Sequence, residues 1–76
     1  MKITLNSTTR MVFVDGVQCR IWEGTSEAGT PCMAFIPRVA VSGDHPPEKH
    51  AEFKRELLEQ RPPSDEAAAI PLRMIL

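Results

Sequence analysis

Asp15 and Gly16 stand between two runs rich in apolar and β-branched residues, and this dipeptide restricts the fold more than any other feature. A two-residue type I′ turn requires positive φ at both central positions, and Asp-Gly adopts that geometry readily. The sequence therefore predicts a β-hairpin, with strands near residues 9–14 and 17–23.

The second predicted strand has two distinct faces, because successive side chains of a strand point to opposite sides. One face carries Val17, Cys19 and Ile21, and the other carries Gln18, Arg20 and Trp22. We expect the first set in the core. Trp22 then covers the second face or lies at an interface.

A third β-like run spans residues 32–41 and has apolar residues at both odd and even positions, so both faces of a strand here would be apolar. A strand that is apolar on both faces is typically covered on both, which predicts a central strand. Pro37 complicates this prediction, because proline donates no ladder hydrogen bond and prefers an edge, a bulge or a strand end. We expect a bulge or a split at that position.

Residues 24–30 separate the second and third runs and contain Gly24 and Gly29. A phosphate-binding loop needs glycine-rich backbone that opens into a helix, often with a lysine after it. Here a strand follows and no lysine is near. The segment is therefore predicted to be a connecting loop whose glycines supply positive φ.

The second half of the chain predicts one main helix, over about residues 47–60. Pro46 and Pro47 suit its first turn, and the pair after Arg61 stops it. Its apolar stripe is His50, Phe53 and Leu57. Ser64 is expected to cap one short turn over residues 65–69, and residues 70–76 read as a C-terminal strand.

These elements predict a single α+β domain over residues 1–76. The expected architecture is a small antiparallel sheet, made of the hairpin, the third strand and the C-terminal strand, with one helix packed on one face. A chain of 76 residues has a modest core and gains from a partner subunit, so self-association is expected.

The composition points to a cytoplasmic protein. The formal net charge is −1, which disfavours strong binding to nucleic acid or to a membrane surface. No apolar run reaches the roughly 20 residues of a membrane span, and the first residues lack the apolar block of a signal peptide. Cys19 and Cys32 are accordingly expected to be reduced and buried, with a disulfide as the alternative.

The sequence offers little catalytic or metal chemistry. Zinc sites usually bring cysteines in close pairs, whereas twelve residues separate Cys19 from Cys32, so a set completed by His45 and His50 is disfavoured. No nucleophile, base and acid form a recognisable motif. We predict no enzymatic activity, no cofactor and no metal.

Protein binding or self-association is the function the residues favour, because the strands carry more apolar surface than one short helix covers. Tryptophan, methionine and arginine are favoured at interfaces. The predicted contact residues are Arg20, Trp22, Phe35 and Arg38, on the sheet face away from the helix. The alternative is nucleic-acid binding, in which sheet arginines (Arg10, Arg20, Arg38, Arg73) act with stacking aromatic side chains.

The run VDGVQCRIWEGTSEAGTPCMAFIPRVAV, followed by a charged helix and PSDEAAAIPLRMIL, resembles a group of short uncharacterised proteins of bacteriophages and prophages. Their shared features are R-[IV]-W-E-G-T, a glycine-containing turn, F…R-[IV]-A-V and a final segment like IPLR, over roughly residues 12–76. The resemblance implies a phage or prophage origin and a bacterial cytoplasmic setting. It implies no activity, cofactor or site residue, and it leaves a virion structural or assembly role open.

Overall fold

The computed structural model describes residues 1–75 and contains a four-stranded sheet with two helices. The elements are β1 (Ile3–Val14), β2 (Val17–Ser26), β3 (Pro31–Ile36), α1 (Pro47–Leu57), α2 (Asp65–Ala68) and β4 (Arg73–Met74). The strands lie side by side in the order β3-β2-β1-β4. The predicted α+β class is confirmed.

The β1–β2 hairpin has the predicted turn. Asp15 and Gly16 have φ values of 51° and 81°, and Val14 pairs with Val17 across the turn. Both strands are longer than the sequence indicated, because Ile3 pairs with Ser26 and Leu5 pairs with Gly24. The polar run at residues 6–8 therefore belongs to β1.

Gly24 lies inside β2 and is not part of the loop to which the sequence assigned it. A Cβ at this position would lie 1.8 Å from the carbonyl oxygen of Thr4, so only glycine permits the two strands to pair here. The positive φ expected of the loop occurs at Gly29, at 87°.

β3 is an edge strand, so the prediction of a central third strand is wrong. It pairs with β2 in antiparallel orientation from Pro31 to Ile36 and ends immediately before Pro37. Proline cannot donate to the ladder, which explains why the apolar run continues to Val41 while the strand does not. The central strands are β1 and β2.

β4 makes the sheet mixed, in contrast to the antiparallel sheet that was predicted. Phe13 pairs with Arg73 and Val14 with Met74 in parallel register. The chain reaches this position along the outer edge of β1, because Arg61 forms a parallel bridge with Thr8 and the carbonyl oxygen of Leu72 accepts from the Phe13 N–H before β4 begins. Leu76, the end of the predicted C-terminal strand, lies outside the described residues.

The core lies on one face of the sheet and is covered by α2, whereas the predicted covering element was α1. Val12, Ile21 and Ala67 are fully buried there, and Phe35 and Ile70 pack partly against them. No residue of α1 is buried. Of its predicted apolar stripe only Phe53 is half-buried. Within residues 1–75 neither helix has the length and apolar character needed to cross a membrane.

Candidate binding surface on the Trp22 face

Strand pairing divides the sheet into two faces. Residues directly opposite one another in paired strands share a face. One such row joins Met11, Arg20 and Ile36, and the next joins Ser7, Trp22 and Ala34. We call the side that carries these two rows the Trp22 face. The opposite side, with Val12 and Ile21, is the core face.

A groove of about 500 Å³ crosses the Trp22 face. Met11, Arg20, Trp22 and Ile36 form its floor, residues 37–40 form one wall, and Leu57 of α1 contributes to the other. A second, smaller hollow of about 290 Å³ continues from Trp22 towards Phe53 of α1. The half-buried indole of Trp22 therefore lines both hollows.

A β-bulge positions Arg20 in this groove. Between the pairs Ser7–Trp22 and Met11–Arg20, residues 8–10 of β1 face the single residue Ile21 of β2. The buried Thr8 hydroxyl donates to the carbonyl oxygen of Ile21 at 2.7 Å, which ties the bulge to β2. Arg20 Nη1 in turn donates to the carbonyl oxygen of Thr8 at 2.9 Å.

The groove carries a local positive charge. Arg20 and Arg38 both line it, and no aspartate or glutamate is among the residues that do. The chain as a whole has a net charge of −1, so this charge separation is local. A groove that combines guanidinium groups with an aromatic and aliphatic floor suits a ligand with both carboxylate and apolar groups.

Three of the four predicted contact residues come together here, and the fourth does not. Arg20, Trp22 and Arg38 line the groove. Phe35 pairs with Ile21 and packs against the core cluster, so it lies on the opposite face. Its neighbour Ile36 occupies the place expected of Phe35.

The prediction that this face lies away from the helix is wrong, because Phe53 and Leu57 of α1 border a hollow on the Trp22 face. The side chains that sequence reasoning missed are Met11, Ile36 and Leu57. Leu57 belongs to the predicted apolar stripe of the helix, and Ile36 stands next to Phe35 in the apolar run of residues 32–41, while Met11 is an apolar residue of the first predicted strand.

Glu23 anchors the start of α2, the helix that covers the core face. Its side chain is 8% exposed, and its carboxylate accepts hydrogen bonds from the Ser64 backbone N–H at 3.0 Å and from the Ser64 hydroxyl. The hydrogen bond from the Ser64 hydroxyl is the largest of the causes that lower the pKa of Glu23. Ser64 also caps α2, accepting from the Ala67 N–H at 3.2 Å.

Arg10 and Arg73, the other two arginines that the nucleic-acid alternative uses, make contacts away from the groove. Arg10 Nη2 donates to the carbonyl oxygen of Ile70 at 2.8 Å, which links β1 to the segment after α2. The Arg73 guanidinium lies 5.5 Å from the centre of the Phe13 ring. Only Arg20 and Arg38 of the four line the groove.

Within residues 1–75, no group of three or more His, Cys, Asp or Glu side chains is arranged to hold a metal ion. Cys19 and Cys32 are free thiols. Cys19 pairs with Val12 on the core face, whereas Cys32 pairs with Gly24 on the Trp22 face. The sheet itself therefore separates the two sulfur atoms and excludes the disulfide alternative in this fold.

The fold is that of a small α+β protein with a groove on the Trp22 face. Comparison with known proteins adds no relative: no family model matches the chain, and neither a curated protein nor a solved structure matches it. The resemblance to phage proteins thus stays a prediction, and the groove is the structural basis for a proposal about this chain's function.

Proposed function

We propose that the chain is a non-enzymatic binding protein that holds an acidic, partly apolar segment of a protein partner in the groove of the Trp22 face. The observation that carries the proposal is the combination of Arg20 and Arg38 with Trp22 in a groove that no carboxylate lines. Guanidinium groups recognise carboxylates through paired N–H donors. The aromatic and aliphatic floor supplies the apolar contact area.

Arg20 is well suited to this role because the fold already orients it. Its Nη1 atom is held by the carbonyl of Thr8, so the guanidinium loses little further freedom when a ligand binds. Arg38 is exposed, as is the whole wall segment of residues 37–40. A fixed arginine in the floor and an exposed one on the wall allow a carboxylate to be approached from two sides.

Nucleic-acid binding is the second candidate, since Arg20 and Trp22 lie on one face of β2 and a base can stack on an indole. It is the weaker one, because two arginines neutralise few phosphates and Arg10 and Arg73 have partners within the fold. The phage resemblance adds a bacterial host cytoplasm as the proposed setting, with a virion assembly role as a variant of protein binding.

A tagged pull-down from bacterial lysate, at low and at high salt, tests the proposal. We expect one discrete protein to be retained at high salt by the wild-type chain and to be lost with Arg38→Glu. Arg55→Glu is the matched control, because Arg55 is exposed on α1 and does not line the groove. Recovery of nucleic acid at low salt alone, without a specific protein, would overturn the proposal in favour of the second candidate.

A further inference from the structure

The outer edge of β3 is open. Its one neighbour in the sheet is β2, so alternate residues direct their backbone N–H and C=O groups away from the sheet. Within residues 1–75, no backbone hydrogen bond from a loop or turn occupies this edge. The opposite side of the sheet is different, because residues 61, 72 and 74 hydrogen-bond to the outer edge of β1.

β3 also lacks the features by which proteins protect an edge strand. Such strands usually carry charged side chains, an internal proline or a bulge. β3 reads PCMAFI: it has no charge, its proline stands at the first position, and its register with β2 is continuous over six residues. This edge is therefore suited to pairing with a further strand.

The charges at the two ends of β3 favour a second copy of the same chain as that strand. Glu27 is exposed in the turn before β3, and Arg38 is exposed just after it. In an antiparallel pair of identical strands, the start of one strand lies beside the end of the other. The turn that carries Glu27 in each copy then lies at the same end of the strand pair as the partner subunit's Arg38, whereas parallel pairing places like charges at the same end.

We infer that the chain forms a two-fold symmetric dimer through antiparallel pairing of β3 with β3 of a second copy. A two-fold axis perpendicular to the sheet keeps equivalent faces on the same side, so opposed residues share a face. With Ala34 on the axis, Met33 lies opposite the partner's Phe35 on the core face. Pro31 then lies opposite the partner's Pro37, which leaves both prolines outside the ladder.

The dimer joins two four-stranded sheets into one continuous sheet. Because the axis preserves the faces, both grooves open on the same side. A partner that carries two acidic segments then binds both grooves at once, with a gain in avidity that a monomer cannot provide. Arg38 enters both proposals, but the strand pairing is made by backbone groups of β3 and the ligand contacts are made by side chains of the groove, so the dimer is tested at Ala34, which does not line the groove.

Charge substitution at Ala34 tests the symmetry directly, because a residue on the axis faces its own copy. Ala34→Lys and Ala34→Glu should each weaken self-association by roughly fivefold, since like charges directly opposed destabilise a strand pair. An equimolar mixture of the two variants should associate at least as well as wild type. Sedimentation velocity, with a chain mass of 8.5 kDa, distinguishes monomer from dimer.

The matched control is the pair Val17→Lys and Val17→Glu, at an exposed position of the β1–β2 hairpin, which should leave association unchanged. A second measurement covers the case in which the lysine variant does not fold: Ala34→Cys in a Cys32→Ser background should form a 34–34 disulfide dimer on mild oxidation. A wild-type chain that stays monomeric at all concentrations, or A34K and A34E chains that fold but fail to associate when mixed, would overturn the inference.

Discussion

The carboxylate of Glu23 in β2 accepts both the backbone N–H and the hydroxyl of Ser64, a residue 41 positions further along the chain. The same hydroxyl accepts the Ala67 N–H and so begins α2, whose Ala67 closes the core over Val12. One buried acidic side chain thus fixes where the returning chain meets the sheet. The core is thus covered from the side opposite the Trp22 face.

Ser64→Ala should lower the free energy of unfolding by about 1–2 kcal/mol. The substitution removes a helix N-cap and leaves the nearly buried Glu23 carboxylate with one donor fewer. Urea denaturation followed by circular dichroism measures the change. Ser42→Ala is the control, because Ser42 is exposed in a loop and should change stability by less than about 0.5 kcal/mol. Equal effects of the two substitutions would contradict the anchoring role of Ser64.

Stability should fall in acid in a way that depends on Glu23. Its pKa in the folded chain lies below the ordinary value of 4.5, with the Ser64 hydrogen bonds as the main cause. The unfolded chain therefore takes up the proton first as the pH falls, and the stabilisation present above pH 4.5 is lost as the pH falls through the folded pKa.

Urea midpoints between pH 7 and pH 3, compared for wild type and Glu23→Gln, test this dependence. We expect the glutamine variant to be less stable at neutral pH and to lose less stability on acidification. Glu27→Gln is a matched control at an exposed position of the turn before β3 and should follow the wild-type profile. A Glu23→Gln profile parallel to that of wild type would rule out the assigned role.

Gly24→Ala should destabilise the chain by about 2–4 kcal/mol, because its Cβ would overlap the carbonyl oxygen of Thr4 and force β1 and β2 apart. Gly29→Ala is the informative comparison. It has open space around its Cβ but a positive φ, so its cost should be only about 1–2 kcal/mol. Thermal unfolding of both variants measures the difference, and the reverse order would refute the close approach of the strands.

The local features of this fold were predictable, and the long-range ones were not. The Asp15–Gly16 turn and the Ser64 cap depend on a few adjacent residues, whose backbone preferences the sequence displays. The register of β3 against β2 depends on how the chain turns after Ser26, and a shift of one residue exchanges Phe35 for Ile36. Hence Arg20, Trp22 and Arg38 lie together along the groove, whereas Phe35 lies on the opposite face.

Strand order and the composition of the core also depend on long-range contacts that the sequence pattern does not reveal. Apolar content on both parities of residues 32–41 indicated a central strand, but Pro37 ends the ladder and the position of β3 is set by its one neighbour. The core contribution of Ala67 was hidden because alanine is common on exposed helix surfaces as well. The hydrogen bonds between Glu23 and Ser64, together with the one from Arg10 to Ile70, hold the segment that places Ala67 against Ile21.

Trp22 is the single tryptophan of the chain, so its fluorescence reports directly on the groove. An extended peptide of alternating glutamate and leucine should shift the Trp22 emission in a saturable titration, and a peptide with lysine in place of glutamate should not. The reason is that Arg20 and Arg38 line the groove and attract carboxylates, whereas Glu56 and Glu59 line only the adjoining hollow.

Arg38→Glu should abolish the response to the glutamate peptide, and Arg55→Glu should preserve it, because only the first substitution changes the charge of the groove wall. The response should weaken moderately with added salt, since the apolar floor continues to contribute where charges are screened. Equal responses to the acidic and basic peptides, or an unchanged response of the Arg38→Glu chain, would show that charge does not select the ligand. The groove would then have to be understood as an apolar surface alone.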